Sequence, residues 1–129
     1  MATHRQKRLA AIAERLAAAD YDIVCLQEVW CRSDWQGIVQ ACAQNLPFAH
    51  YFRSGIIGSG CAILSKYPIV ETALQHFSCN GRPQRILHGD WLAGKCAVLA
   101  RIQTPNGIVD TYTTHVTLHL LSVELALSY

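Results

Sequence analysis

A chain of 129 residues holds one domain of ordinary size and leaves no room for a second. Hydrophobic residues make up 51% of it, enough for a sizeable core, yet no apolar run is long enough to cross a membrane as a helix. Lys and Arg number 11 against 9 Asp and Glu, a net charge of +2; this is far from the dense basic footprint of a chain held to DNA by many phosphate contacts, so nothing in the balance argues for nucleic acid.

Six cysteines (Cys25, Cys31, Cys42, Cys61, Cys79 and Cys96) are scattered, with no C-x-x-C pair and no Cys/His cluster at zinc spacing. Several stand in apolar runs, where cysteine behaves as a small hydrophobe. Reduced thiols and an intracellular location are therefore expected rather than a disulfide framework. Residues 1–8 are charged and lead into an alanine-rich amphipathic segment, not into the apolar core of a signal peptide.

In chain order, Thr3 and Gln6 read as a capping box, and Leu9, Ile12, Ala13 and Leu16 then fall at helical spacing. The spacing predicts a helix over about 4–19, with Lys7, Arg8, Glu14 and Arg15 on a solvated face. Four consecutive apolar residues, Ile23 to Leu26, then suit a strand covered on both faces, and they lead directly into Gln27 and Glu28. A carboxylate is thereby delivered to a strand end, where α/β sheets gather their chemistry; Glu28 can hold a metal, act on a proton or pair with a base.

Ser33 and Gln36 repeat the capping pattern, with Trp35, Ile38, Val39 and Cys42 on one face of a second helix over about 34–45. Pro47 stops it. Beyond, the periodicity is that of strands: Phe48 to Phe52, Cys61 to Leu64, and Ile69 to Phe77. Between the first two lies Gly55-Ile56-Ile57-Gly58-Ser59-Gly60, whose glycines permit positive φ and close backbone approach, either as a tight connection or as a ligand loop. Ser78 to Arg85 is a polar loop. Val98 to Ile102, the turn Thr104-Pro105-Asn106-Gly107 and Ile108 to Thr114 form a hairpin ending at Thr114-His115. Val116 to Leu127 is apolar without a stop signal.

Gly89-Asp90-Trp91-Leu92-Ala93-Gly94-Lys95 satisfies the G-x-x-x-x-G-K part of a nucleotide-binding P-loop, but Cys96 replaces the hydroxyl residue that binds magnesium. A P-loop also needs a helix after its lysine, whereas Cys96 to Gln103 reads as a strand. The P-loop reading is rejected on both grounds.

Five segments in order carry a different likeness: Leu26-Gln27-Glu28-Val29-Trp30; His50-Tyr51-Phe52-Arg53-Ser54 through Gly60; Ser65-Lys66-Tyr67-Pro68-Ile69; His88-Gly89-Asp90 through Lys95; and Thr114-His115. Together, from about Arg5 to His115, they closely resemble the neutral sphingomyelinases, a branch of the endonuclease/exonuclease/phosphatase superfamily. The resemblance implies an α/β fold, a four-layered sandwich of two face-to-face sheets with helices outside. It also implies magnesium-dependent, phospholipase C-type hydrolysis of sphingomyelin or a related phosphosphingolipid in a membrane.

By the same resemblance, Glu28 binds the metal, His115 hydrogen-bonds the phosphoryl group, and Asp90 and Lys95 control the active site. Arg53, in the branch-specific stretch, is a candidate contact to phosphate or lipid headgroup. These roles suit the chemistry: a hard cation takes oxygen ligands and keeps waters, and developing phosphoryl charge favours fixed donors. The alternatives are a carboxylate satisfied by Arg or backbone donors at Glu28, a satisfied strand-end histidine at His115, a surface ion pair between Asp90 and Lys95, and a carboxylate partner for Arg53.

The family pattern also contains a preceding strand with an asparagine near the metal, and later Gly-Asp-x-Asn and Asp-His segments, none of which occurs here. An incomplete domain over 1–129, with residues 116–129 departing from the pattern and little turnover on its own, is therefore expected. A nuclease of the same superfamily and a non-catalytic lipid- or partner-binding module are the rival readings.

Overall fold

The computed structural model describes residues 2–53, 60–76 and 96–114. Helix α1 (Ala2–Ala18) leads to strand β1 (Ile23–Leu26), then helix α2 (Arg32–Cys42) and strands β2 (Phe48–Tyr51), β3 (Ala62–Ser65), β4 (Ile69–His76), β5 (Cys96–Thr104) and β6 (Gly107–Thr114). Two antiparallel three-stranded sheets result, one ordered β1-β3-β2 and the other β4-β5-β6.

β3 is central in the first sheet and buried along its whole length. Its side chains alternate, as strand geometry requires. Ile63 faces the second sheet and packs with Phe52, Cys61, Cys96, Val98, Ala100 and Ile102. Leu64 faces the helices and packs with Ala13, Ile38, Cys42 and Leu46. The described residues thus form three layers, helices on sheet on sheet, with an apolar core on each side of β3. This is the α/β sandwich that the sequence implied; among the described residues no helix covers the outer face of the second sheet. There Arg101 spans three strands, bonding Asp110 on β6 (2.8 Å) and Glu71 on β4 (2.7 Å), and it holds the Asp110 carboxyl below the usual carboxylate range.

Several local expectations are corrected. Among the described residues β1 lies at the edge of its sheet with Cys25 exposed; its faces are covered in part, Ile23 against the inter-sheet core and Val24 and Leu26 against the helices, and the fully buried strand is β3. Ile12 is 48% exposed, because Leu9, Ala13 and Leu16 make the contact and Ile12 lies about 100° around the helix from Ala13. Neither capping box forms the helix start. α1 begins at Ala2, so Thr3 lies inside it, and α2 is capped by Cys31 with no side-chain cap bond. Ser33 and Asp34 fall in the first turn of α2, and Asp34 instead pairs with Arg5 of α1, an acidic group favourably placed near a helix N-terminus.

The hairpin forms as expected, with Thr104 opposite Gly107. Proline fixes φ of Pro105 near −65°, and the positive φ the turn needs falls on Gly107 (+125°). Lys95 is followed at once by strand β5 and not by a helix, in keeping with rejection of the P-loop. Cys25, Cys31, Cys42 and Cys96 are free thiols; Cys79 and the polar loop at 78–85 lie outside the described residues.

Because Ile63 is fully buried between the sheets, Ile63→Ala should lower unfolding stability by about 2–5 kcal/mol, read from urea denaturation. His50 sits edge-on to Phe52 (4.6 Å between rings), and burial pushes its pKa below 6.5. The unfolded chain therefore takes up this proton first. The stability from neutral His50 is complete above about pH 6.5 and declines as pH falls below it. Thermal melts from pH 7.5 to 5.5 should show a steeper decline for the natural chain than for His50→Gln.

Candidate active site

The ends of three strands meet at one edge of the first sheet. Leu26 of β1 and Tyr51 of β2 both pair with Ala62 of β3, so Gln27-Glu28 and Phe52-Arg53 leave the sheet at the same level, on either side of Gly60-Cys61. Two backbone bonds extend the pairing past the regular strands: Val29 N–H donates to Gly60 O (3.0 Å) and Phe52 N–H donates to Cys61 O (3.0 Å). The Tyr51 hydroxyl crosses β3 to donate to Val29 O (2.8 Å), its ring resting against Trp35 of α2 (5.8 Å). Burial raises the pKa of Tyr51 and keeps this donor protonated.

Glu28 is exposed and adopts φ +60°, the left-handed region that a non-glycine residue enters at a cost of roughly 1–3 kcal/mol. What holds it there is visible. Gly60 also has positive φ (+67°), and a Cβ built on it would lie 3.1 Å from both Cα and N of Glu28 and 3.3 Å from the Val29 nitrogen. Two backbones therefore touch where an added Cβ would force a shift of a few tenths of an ångström, and the Val29–Gly60 bond closes the contact. Of the glycine-rich segment, the described residue Gly60 does use both freedoms expected of it, positive φ and close approach.

The second sheet is joined to this edge by Gln27. Its amide nitrogen donates to Thr113 Oγ1 (3.2 Å) and to Thr114 O (3.0 Å) at the end of β6. Thr113 is one of the buried polar residues, and this bond gives its hydroxyl the partner that burial demands. Thr114 is further fixed by its own hydroxyl, which donates to Cys96 O (3.0 Å) at the start of β5.

Of the candidate residues, Glu28 and Arg53 stand at this edge, both exposed, with Arg53 two residues past β2. Asp90, Lys95 and His115 lie outside the described residues, although Cys96 and Thr114, the chain neighbours of Lys95 and His115, are at the same end of the second sheet. Sequence reasoning assigned no role to Gln27, Tyr51, Thr113 or Gly60 individually. Gln27 was legible as the neighbour of Glu28, and Gly60 as part of the glycine cluster; the contacts of Tyr51 and Thr113 left no local pattern.

Among the described residues no group of three or more His, Cys, Asp or Glu could hold a metal ion. Glu28 thus does not belong to an all-protein cage there. A single exposed carboxylate nevertheless fits a magnesium ion, which takes oxygen ligands, keeps several waters and is often held by one or two carboxylates together with substrate phosphate.

Comparison with known proteins gives a consistent picture. The Endonuclease/Exonuclease/phosphatase family matches residues 2–126. The inositol phosphosphingolipids phospholipase C of Schizosaccharomyces pombe is 43% identical over 113 residues, covering 87% of this chain and 27% of that protein. Sphingomyelin phosphodiesterase 2 of Homo sapiens is 37% identical over 115 residues, covering 89% of this chain and 27% of that protein. The chain spans about a quarter of the length of these relatives. Among solved structures, sphingomyelinase C from Streptomyces griseocarneus is similar (TM-score 0.64, 22% identity, 83% of this chain and 41% of that one). So is a doubly substituted β toxin from Staphylococcus aureus with bound magnesium ions (TM-score 0.64, 19% identity, 83% of this chain and 42% of that one). At such identities the structural likeness is one of fold.

The Gly60 contact gives a direct test of how Glu28 is held. Gly60→Ala should destabilise the fold by about 1–3 kcal/mol through unfavourable φ and collision with the Glu28 backbone, measured by denaturant titration. Gly37→Ala, with nothing within 4 Å of the added Cβ, should not destabilise.

Proposed function

Since the chain belongs to the endonuclease/exonuclease/phosphatase family, we propose that the protein carrying it is a magnesium-dependent phosphodiesterase acting on sphingomyelin or a related phosphosphingolipid. The observation that carries this reading is the placement of Glu28. Its carboxylate stands at a sheet edge on a backbone held in the left-handed region by Gly60, in a sequence similar to proteins named for sphingolipid hydrolysis. Strain retained at one polar residue, with contacts dedicated to keeping it, is what a site gains from pre-organisation.

The reaction is phospholipase C-type: the oxygen of water bonds to phosphorus, the bond from phosphorus to the ceramide oxygen breaks, and the ceramide alkoxide takes up a proton. Sphingomyelin would give ceramide and phosphocholine. Magnesium, when bound, supplies Lewis-acid polarisation of the phosphodiester. Glu28 provides an oxygen ligand for it. Arg53, exposed at the same edge, offers a guanidinium with the fork geometry that matches a phosphate. His115 donates a hydrogen bond to the phosphoryl group, and Asp90 and Lys95 take part in control of the active site. The substrate lies in a bilayer; among the described residues no helix is long and apolar enough to cross one.

A nuclease of the same family would use similar metal chemistry but requires a basic groove, which a net charge of +2 does not favour. A non-catalytic lipid- or partner-binding module is the other alternative.

These readings separate in one assay on the longest protein carrying this sequence. Magnesium-dependent release of phosphocholine from sphingomyelin vesicles is expected, with no cleavage of an abasic DNA duplex. Glu28→Gln should lower that rate by at least about 100-fold and raise the magnesium concentration needed for half-maximal rate. The 129-residue chain alone should show little or no turnover. A fully active Glu28→Gln variant would reject the metal role, and duplex cleavage without lipid hydrolysis would reject the substrate.

A further inference from the structure

Gln27 is the neighbour of the proposed metal ligand in the chain, and its amide spends both hydrogens on a single target. One goes to Thr113 Oγ1 (3.2 Å), the other to Thr114 O (3.0 Å). Thr114 O belongs to the peptide bond that joins Thr114 to His115. Thr114 is the last residue of β6, so the bond to this carbonyl holds the end of that strand. The opposite anchor is equally defined: Gln27 follows Leu26, whose register in the first sheet is set against Ala62, and precedes Glu28, whose backbone is locked against Gly60.

We propose that Gln27 is a positioning residue that latches the two sheets together at the active edge and thereby sets Glu28 relative to the Thr114-His115 peptide. The inference rests on the sphingomyelinase reading for the roles of Glu28 and His115. The latch itself rests on the two hydrogen bonds. Both sheets are already held together by the apolar core around Ile63 and Val98. A part-exposed pair of hydrogen bonds adds little to that in stability, so its main effect is on geometry at the edge. Catalysis is sensitive there, since misplacement by about 1 Å can lower a rate by about 100-fold.

The test uses Gln27→Met, which keeps the length of the side chain and removes the donors, and Gln27→Glu, which keeps the shape but can only accept when ionised. In the longest protein carrying this sequence, at saturating magnesium, each variant should lower kcat for sphingomyelin by about 10–100-fold, with KM changed by less than about threefold. Adding Gln27→Met to a His115→Ala background should cause no comparable further loss, because the latch acts through that residue. A kcat equal to that of the natural protein, or the same fold-loss in both backgrounds, would overturn the proposal. A second readout is independent of activity. Deuterium uptake over residues 111–116 of the 129-residue chain should rise in Gln27→Met while the thermal midpoint stays within about 3 °C. Unchanged uptake would overturn the latch. Raised uptake with no hydrolysis by the natural protein would uphold the latch and reject the sphingomyelinase reading.

Discussion

The contact between two backbones, Gly60 against Glu28, is the constraint on which this edge of the first sheet depends. A Cβ on residue 60 would lie 3.1 Å from the Glu28 backbone, so the approach is open to glycine and closed to every other residue without displacement. With the contact made, Val29 N–H reaches Gly60 O and Glu28 is carried to φ +60°. The same contact ends the regular pairing of β1 with β3 and leaves Glu28 at the strand end as an exposed residue. Strand geometry alone would have continued the alternation of β1.

The arrangement works because the scaffold under it is rigid. β3 supplies one face to the helices through Leu64 and the other to the second sheet through Ile63, so a single four-residue strand belongs to both cores. The helical layer also supports the edge directly, since Trp35 backs the ring of Tyr51, whose hydroxyl holds Val29 O. Gln27 then ties in the second sheet. Three kinds of force are thus layered: apolar burial sets the position of the sheets, backbone bonds set the register, and side-chain amide and hydroxyl groups set the last local geometry. The family to which the chain belongs accommodates this order, with a fold shared at low identity.

Much of this was legible in the sequence. The α1 stripe of Leu9, Ala13 and Leu16, the α2 stripe of Ile38 and Cys42, and the hairpin around Pro105-Asn106-Gly107 all obey simple periods and turn chemistry, and each formed where expected. The failures were of two kinds. Capping boxes at Thr3 and Ser33 matched a local pattern that is satisfied in another way, by an earlier helix start and by the Arg5–Asp34 pair. Burial of β1 was overestimated because an apolar run does not state whether its strand is central or at an edge. Of the candidate site residues, Glu28 and Arg53 lie at one edge of the first sheet, while Asp90, Lys95 and His115 fall outside the described residues.

The sequence by itself determined the elements, the family likeness and the residue types available for chemistry, because periodicity, turn residues and motif order are properties of neighbours along the chain. Tertiary structure alone decided which strand is central, why Glu28 has left-handed backbone, and that Gln27 reaches Thr113 and Thr114 across 86 and 87 positions. Those facts depend on contacts between distant segments. No local pattern records them, since the partner that fixes each residue is chosen only when the two sheets close on their shared core.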